Sequence, residues 1–179
     1  MQEALKKIHE SFGPPPEIRQ HRTRISDLDA LLNGGYPEGR MTLIEGVDDK
    51  KTWDEVWWTF YSKYDSDDSE FWYDLKEDGN KILRSKRPRV AFMPDIYFGR
   101  DPKSLDVLRF LGSLMPHLRT WCTTRNIALV VFSHCPTYSK ALRYYASVRL
   151  RCQKTDIGFE TKILKSTVSA GMGLSIQHG

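Results

Sequence analysis

Three apolar runs of strand length, RMTLIEG (40–46), RVAFMPD (89–95) and IALVVFSH (127–134), most constrain what this chain can fold into, because helical patterns lie between them. Val56, Trp57, Phe60 and Tyr64 recur at helical spacing and predict a helix over 53–64, ended by the acidic stretch DSDDSE. Asp101 and Pro102 open a longer helix carrying Leu105, Leu108, Leu111 and Leu118. Strands that alternate with helices imply a parallel sheet. FWYDL (71–75) adds a short aromatic strand. From residue 145 the helices stop, and YASVRLRCQ, FETKILKS and GLSIQHG follow one another as strands, which predicts an antiparallel meander. The expected fold is α/β: a mainly parallel central sheet flanked by helices, with an antiparallel extension over residues 145–178.

Ahead of the first long strand, residues 2–11 read as a short amphipathic helix with Leu5, Ile8 and Phe12 on its apolar side, and GPPPEIRQHRTR (13–24) is held extended by its prolines. These features divide the chain into an arm, 1–24, and a core, 25–179. The apolar face of the arm makes it the expected contact between copies of the chain. Ser26 and Asp29 form an S-x-x-D capping box for a helix with Leu28, Leu31 and Leu32, which stops at Asn33, Gly34 and Gly35. A chain of 179 residues suits one domain with its own buried core. Cys122, Cys135 and Cys152 form no CxxC pair, as expected of small buried side chains in a reducing cell. Neither a secretion signal nor a run long enough to span a bilayer is visible, so the expected setting is cytoplasmic, without membrane contact.

The strand RMTLIEG leads into VDDKKTW, where Gly46, Lys50, Lys51 and Thr52 stand almost as in a phosphate-binding loop. A working loop of that class reads GxxxxGK[ST], with glycine amides around the phosphates, lysine on the outer ones and the hydroxyl on magnesium. Here the second glycine is missing, and Asp48 and Asp49 put negative charge where a triphosphate would lie. Thr52 and Glu55 form a T-x-x-E capping box, which would satisfy the helix start without any phosphate and leave Lys50 and Lys51 as loop charges.

Charge is divided sharply along the chain. Residues 1–80 carry 10 Lys/Arg against 18 Asp/Glu, a net of −8, and residues 81–179 carry 17 against 5, a net of +12. A basic half of this size is the footprint of a polyanion binder. Within it, KILRSKRPR concentrates Lys81, Arg84, Lys86, Arg87 and Arg89. No Ser-His-Asp set, metal-ligand cluster or helical carboxylate pair offers enzymatic chemistry, and neither a metal nor another cofactor is expected.

Several segments, in this order, resemble the core of the bacterial RecA recombinase family. ALKKIHESFG is similar to its N-terminal helix, RISDLDALLNGGYPEGRMTLIEG to the approach to its phosphate loop, and ALRYYASVRLRCQ with ETKILKS to the segment after its second DNA-binding loop. The resemblance implies that Asp95 matches a magnesium-orienting aspartate and that His134 stands where the family senses the terminal phosphate. It also implies that Lys76 replaces the water-activating glutamate, beside Glu77; a charged lysine cannot accept that proton. The two DNA loops of the family correspond to IYFGRDPKS, with Tyr97, Phe98, Arg100 and Lys103, and to CPTYSKALR, with Tyr138, Lys140 and Arg143. The implied protein is catalytically inactive, oligomerises as a ring or short filament, and binds single- or double-stranded DNA without sequence preference or ATP. A residual DNA-dependent ATPase or recombinase, and an interaction protein that co-assembles with an active recombinase or a larger machine, are the alternatives.

Overall fold

The computed structural model describes residues 17–46, 49–64, 69–71, 89–93, 105–167 and 172–179. Its strands are β1 (Gln20–His21), β2 (Tyr36–Pro37), β3 (Met41–Glu45), β4 (Ser69–Phe71), β5 (Val90–Met93), β6 (Ala128–Ser133), β7 (Val148–Thr155), β8 (Gly158–Ser166) and β9 (Ser175–His178). The helices are α1 (Ser26–Leu31), α2 (Lys50–Tyr61), α3 (Leu105–Arg125) and α4 (Pro136–Leu142).

Seven strands form one sheet in the order β4-β5-β6-β3-β7-β8-β9. The first five in that order are parallel, while β8 and β9 join antiparallel. The α/β sheet with an antiparallel end is thus as expected, with one refinement. β7 belongs to both parts, because it runs parallel to β3 on one side and antiparallel to β8 on the other.

Strands β3, β5 and β6 are buried on both faces, which is why they read as unbroken apolar runs. On one face Met41, Leu43, Ala91, Met93, Leu129 and Val131 pack under Leu111, Met115 and Leu118 of α3 and Tyr138 and Leu142 of α4. On the other, Ile44, Phe92, Val130 and Phe132 meet Leu28 of α1 and Trp53, Val56 and Phe60 of α2, and this core continues along β7 and β8 through Val148, Leu150, Cys152 and Ile163. The helix after β3 and the helix after β6 therefore lie on opposite faces. Neighbouring strands whose crossovers part in this way open the crevice where α/β sheets take ligands.

Several local expectations change. Helix α2 begins at Lys50 rather than at residue 53, so Lys50 and Lys51 form its first turn and are not loop charges. Its N-cap is Asp49, and Glu55 pairs with Lys154 of β7 instead of closing a box with Thr52. The Ser26 box does not form either. Ile25 precedes α1 without a side-chain cap, and Asp29 reaches back past the helix start to accept from the Thr23 amide at 2.6 Å. The last two residues of DSDDSE begin β4.

The described end of the arm belongs to the core. Strand β1 pairs antiparallel with β2 of the same chain, Thr23 is fully buried, and the Tyr64 hydroxyl donates to the Arg22 carbonyl. The edge of this segment finds its partner within the chain. The stop after α1 follows the sequence: Asn33 takes a left-handed backbone with φ 58°, and Gly35, at φ 130°, has no room for a side chain against the His21 carbonyl of β1. Residues 1–16, where the amphipathic helix was expected, lie outside the described residues.

Candidate functional site

At the carboxyl end of β3, described side chains of the same chain pack against Gly46 and cap the helix that follows. Gly46 follows β3, and its amide donates to the Ser133 carbonyl at 3.2 Å. Trp53, fully buried in the first turns of α2, brings its indole against Gly46 and packs near Phe132 and His134 at centroid distances of 6.4 Å. A Cβ at Gly46 would run into Cζ3 of that indole and would lie 2.9 Å from both Trp53 Cε3 and the Cys152 carbonyl oxygen. The glycine is therefore required by the approach of a tryptophan, independent of any phosphate. At the helix start, the Thr52 amide donates to Asp49 Oδ1 and the Thr52 hydroxyl to Asp49 Oδ2, each at 3.1 Å. These bonds, the amide first, hold the Asp49 carboxyl below the usual carboxylate range. The two donors a phosphate–magnesium site would draw on are thus bonded to a carboxylate of the same chain.

Beside this plug lies a cluster that the sequence reading passed over. Glu45, the last residue of β3, has a side chain only 4% exposed. Arg143 binds it with a fork, Nε to Oε2 at 3.0 Å and a terminal nitrogen to Oε1 at 3.1 Å. Arg149 donates to the same Oε1 at 3.0 Å, and Arg151 stands 3.8 Å from it. Among the described residues, three guanidiniums thus share one carboxylate, a net of two positive charges.

The alternation in VRLRC explains the placement. Val148, Leu150 and Cys152 enter the core on one face of β7, so Arg149 and Arg151 must share the other. Beyond β3 that second face is not part of the core under α3 and α4, which draws no residue from β7, β8 or β9. Strand β8 sets Lys165 opposite Arg149 and Lys162 opposite Arg151. With Lys140 exposed on α4, the surface joins Arg143, Arg149, Arg151, Lys162 and Lys165, against the carboxylates Glu45 and Glu160. Glu160 is bonded by Gln153 at 2.8 Å.

The expected site residues are distributed as follows. Lys140 and Arg143 lie on this surface, although Arg143 is tied to Glu45 rather than free. Tyr138 does not: it is 1% exposed, in the core between α4 and the sheet, and has no open ring face on which a base could stack. The exposed aromatic of that segment is Tyr144, at 83%. Gly46 and Thr52 are engaged as described, and Lys51 is exposed on α2. Arg89, just before β5, lines a cleft of about 270 Å³ with His21, Arg22 and Arg24. It sits at the amino end of a parallel strand, away from the Glu45 cluster at the carboxyl end of β3. Lys76, Glu77, Lys81, Arg84, Lys86, Arg87, Asp95, Tyr97, Phe98, Arg100 and Lys103 lie outside the described residues. Arg149, Arg151, Lys162 and Lys165 lie on strands and not on loops, and the alternation of charged and apolar residues in VRLRC is the sequence signal of this polar strand face.

Among the described residues, no group of three His, Cys, Asp or Glu side chains comes together in a way that could hold a metal. No described helix is long and apolar enough to cross a membrane. Neither models of protein families nor curated proteins give a match to this chain.

Proposed function

We propose that this chain is a non-catalytic, RecA-like nucleic-acid-binding protein that holds the phosphate backbone without sequence preference and without nucleotide. The observation that carries this reading is the sheet face at β7 and β8, uncovered by any described helix, where Arg149, Arg151, Lys162 and Lys165 gather beside Arg143 and Lys140 of the α4 segment. Long-range field and counterion release make such a surface attractive to a polyanion. The absence of ATP from the proposal is supported by the contacts after β3, where Asp49 takes the Thr52 donors and Trp53 fills the space at Gly46. The RecA-like assignment is supported by the segments that resemble the family and by a parallel sheet that ends in antiparallel strands.

Assembly into a ring or short filament is part of the same reading, with the segment before β1 as the contact between copies. Several such faces would then meet one strand of nucleic acid, and weak contacts would add through effective concentration. The test is fluorescence anisotropy of labelled DNA across a salt series, with and without ATP and magnesium. The expected result is binding that weakens steeply with salt, ignores base sequence and does not change with nucleotide. Replacement of Arg151, Lys162 and Lys140 together by alanine should weaken every DNA target equally and flatten the salt dependence by about two to three counterions. Binding that required ATP, or that survived this triple replacement unchanged, would refute the reading.

A further inference from the structure

The Glu45 cluster and the strand pairing next to it go further than a diffuse positive surface. In an antiparallel pair, like charges directly opposite each other are destabilising. Here two successive pairs on one face are both cationic, Arg149 with Lys165 and Arg151 with Lys162. The neighbouring carboxylate, Glu45, is on β3, on the side of β7 away from Lys162 and Lys165, and not between the pairs. Lys165 turns its ammonium to the Ala146 carbonyl at 2.7 Å, and Arg149 is drawn toward Glu45. Arg151, 48% exposed and 3.8 Å from the carboxylate, and Lys162, exposed, are left facing solvent.

A guanidinium carries five N–H donors in a rigid fork. Arg143 gives two of them to Glu45 and Arg149 gives one. Glu45 therefore holds Arg143 by a fork and Arg149 by one bond while using a minority of their donors, Arg149 Nε staying buried, and the cluster keeps a charge surplus that a second anion would neutralise. The cation-bearing positions repeat about 7 Å apart along β7 and about 5 Å across the pair, while the bulge between Arg149 and Leu150 sets Lys162 and Lys165 three residues apart on β8. A line of phosphodiesters passing over β7 and β8 matches this arrangement better than a single compact anion does.

We propose that Glu45 is a positioning residue of a phosphodiester site: it presets the forks of Arg143 and Arg149, and their remaining donors, with Arg151 and Lys162, hold the phosphates of a nucleic-acid strand crossing β7 and β8. The inference rests on the nucleic-acid reading above and adds a consequence opposite to simple electrostatics. Removing the negative charge of Glu45 would strengthen binding if only net charge mattered. If the carboxylate positions the forks, its removal weakens binding.

The experiment compares the parent with Glu45→Gln and Arg149→Lys for binding of a fluorescein-labelled oligothymidylate and of a duplex, with melting temperatures recorded alongside. Arg149→Lys keeps the charge and loses the fork, so it carries the test if Glu45→Gln does not fold. Each variant should bind about five- to tenfold more weakly than the parent at the same salt. In Arg149→Lys this loss should occur at unchanged net charge. If the parent binds and the folded variants bind equally well or more tightly, the positioning role is overturned while the nucleic-acid reading stands. If the parent binds neither probe at moderate salt, both are overturned.

Discussion

A methyl group added at Gly46 separates a tryptophan-packing role for this glycine from a phosphate-binding one. In Gly46→Ala the new Cβ meets Trp53 Cζ3 and lies 2.9 Å from both Trp53 Cε3 and the Cys152 carbonyl oxygen, distances at which something must move. Neither neighbour yields cheaply, because Trp53 is fully buried and packed near Phe132 and His134, and the carbonyl belongs to the sheet strand β7. Gly46 does not have a left-handed backbone, so the cost is steric and not conformational. Overpacking of this kind costs about 1–3 kcal/mol, and two rigid neighbours put the expected value near 3 kcal/mol. For a domain of this size that lowers Tm by about 6–12 °C. Trp53→Leu alone should cost about 3 kcal/mol through lost burial and a residual cavity. Because leucine vacates the space the alanine methyl needs, the double variant should be more stable than the sum of the two by about 1.5 kcal/mol or more. Urea unfolding followed by circular dichroism, without nucleotide, measures all three. The packing account fails if Gly46→Ala unfolds within about 0.5 kcal/mol of the parent, or if the two substitutions are additive.

Other outcomes follow from single contacts. Tyr138→Ala should destabilise the fold by about 3–4 kcal/mol in denaturant unfolding, as a core truncation does, whereas the exposed Lys140→Ala should stay within about 0.5 kcal/mol of the parent. A chain lacking residues 1–24 should melt below one lacking residues 1–16, since only the longer deletion removes β1, buried Thr23 and its bond to Asp29. Equal melting temperatures would contradict the assignment of that segment to the core. His178, held to a pKa of about 4 by burial and then by Lys63, binds its proton less readily in the fold than in the unfolded chain. Stability should therefore fall as pH drops from 6.5 toward 4. His21, also lowered first by burial, adds the same sign. Unfolding free energies across that window should show a shallower slope in His178→Gln. Burial raises the Cys122 thiol to a pKa of about 12, and Cys152 is also buried, so a thiol reagent should label Cys135 first and the other two only on unfolding.

The periodicities within segments were enough to establish the α/β class, the parallel strands and the antiparallel end, because burial on one or two faces imposes its repeat directly on the residues of each element. The stop after α1 was legible for a similar reason, since Asn33 and Gly35 take backbone conformations that few other residues accept. VRLRC likewise contained the polar face of β7, although not what would lie opposite it. Competition between nearby caps was less decisive. Asp49 and Thr52 are both good N-caps; the helix starts three residues earlier than the Thr52–Glu55 pattern suggested, with Asp49 accepting from the Thr52 amide and Glu55 paired with Lys154 of β7.

What only the tertiary structure decided were the partners brought together by strand order. Glu45 and Arg143 are 98 positions apart, and they meet because β3 lies between β6 and β7, with α4 returning across that side of the sheet. The same crossing buries Tyr138 while leaving Tyr144 exposed, although both belong to one short basic and aromatic stretch. The approach of Trp53 to Gly46 is likewise set by the packing of α2 on the sheet and not by the local motif. Local pattern specifies which face of an element turns inward, but the groups that meet there depend on the order in which the strands assemble, and no single segment carries that information.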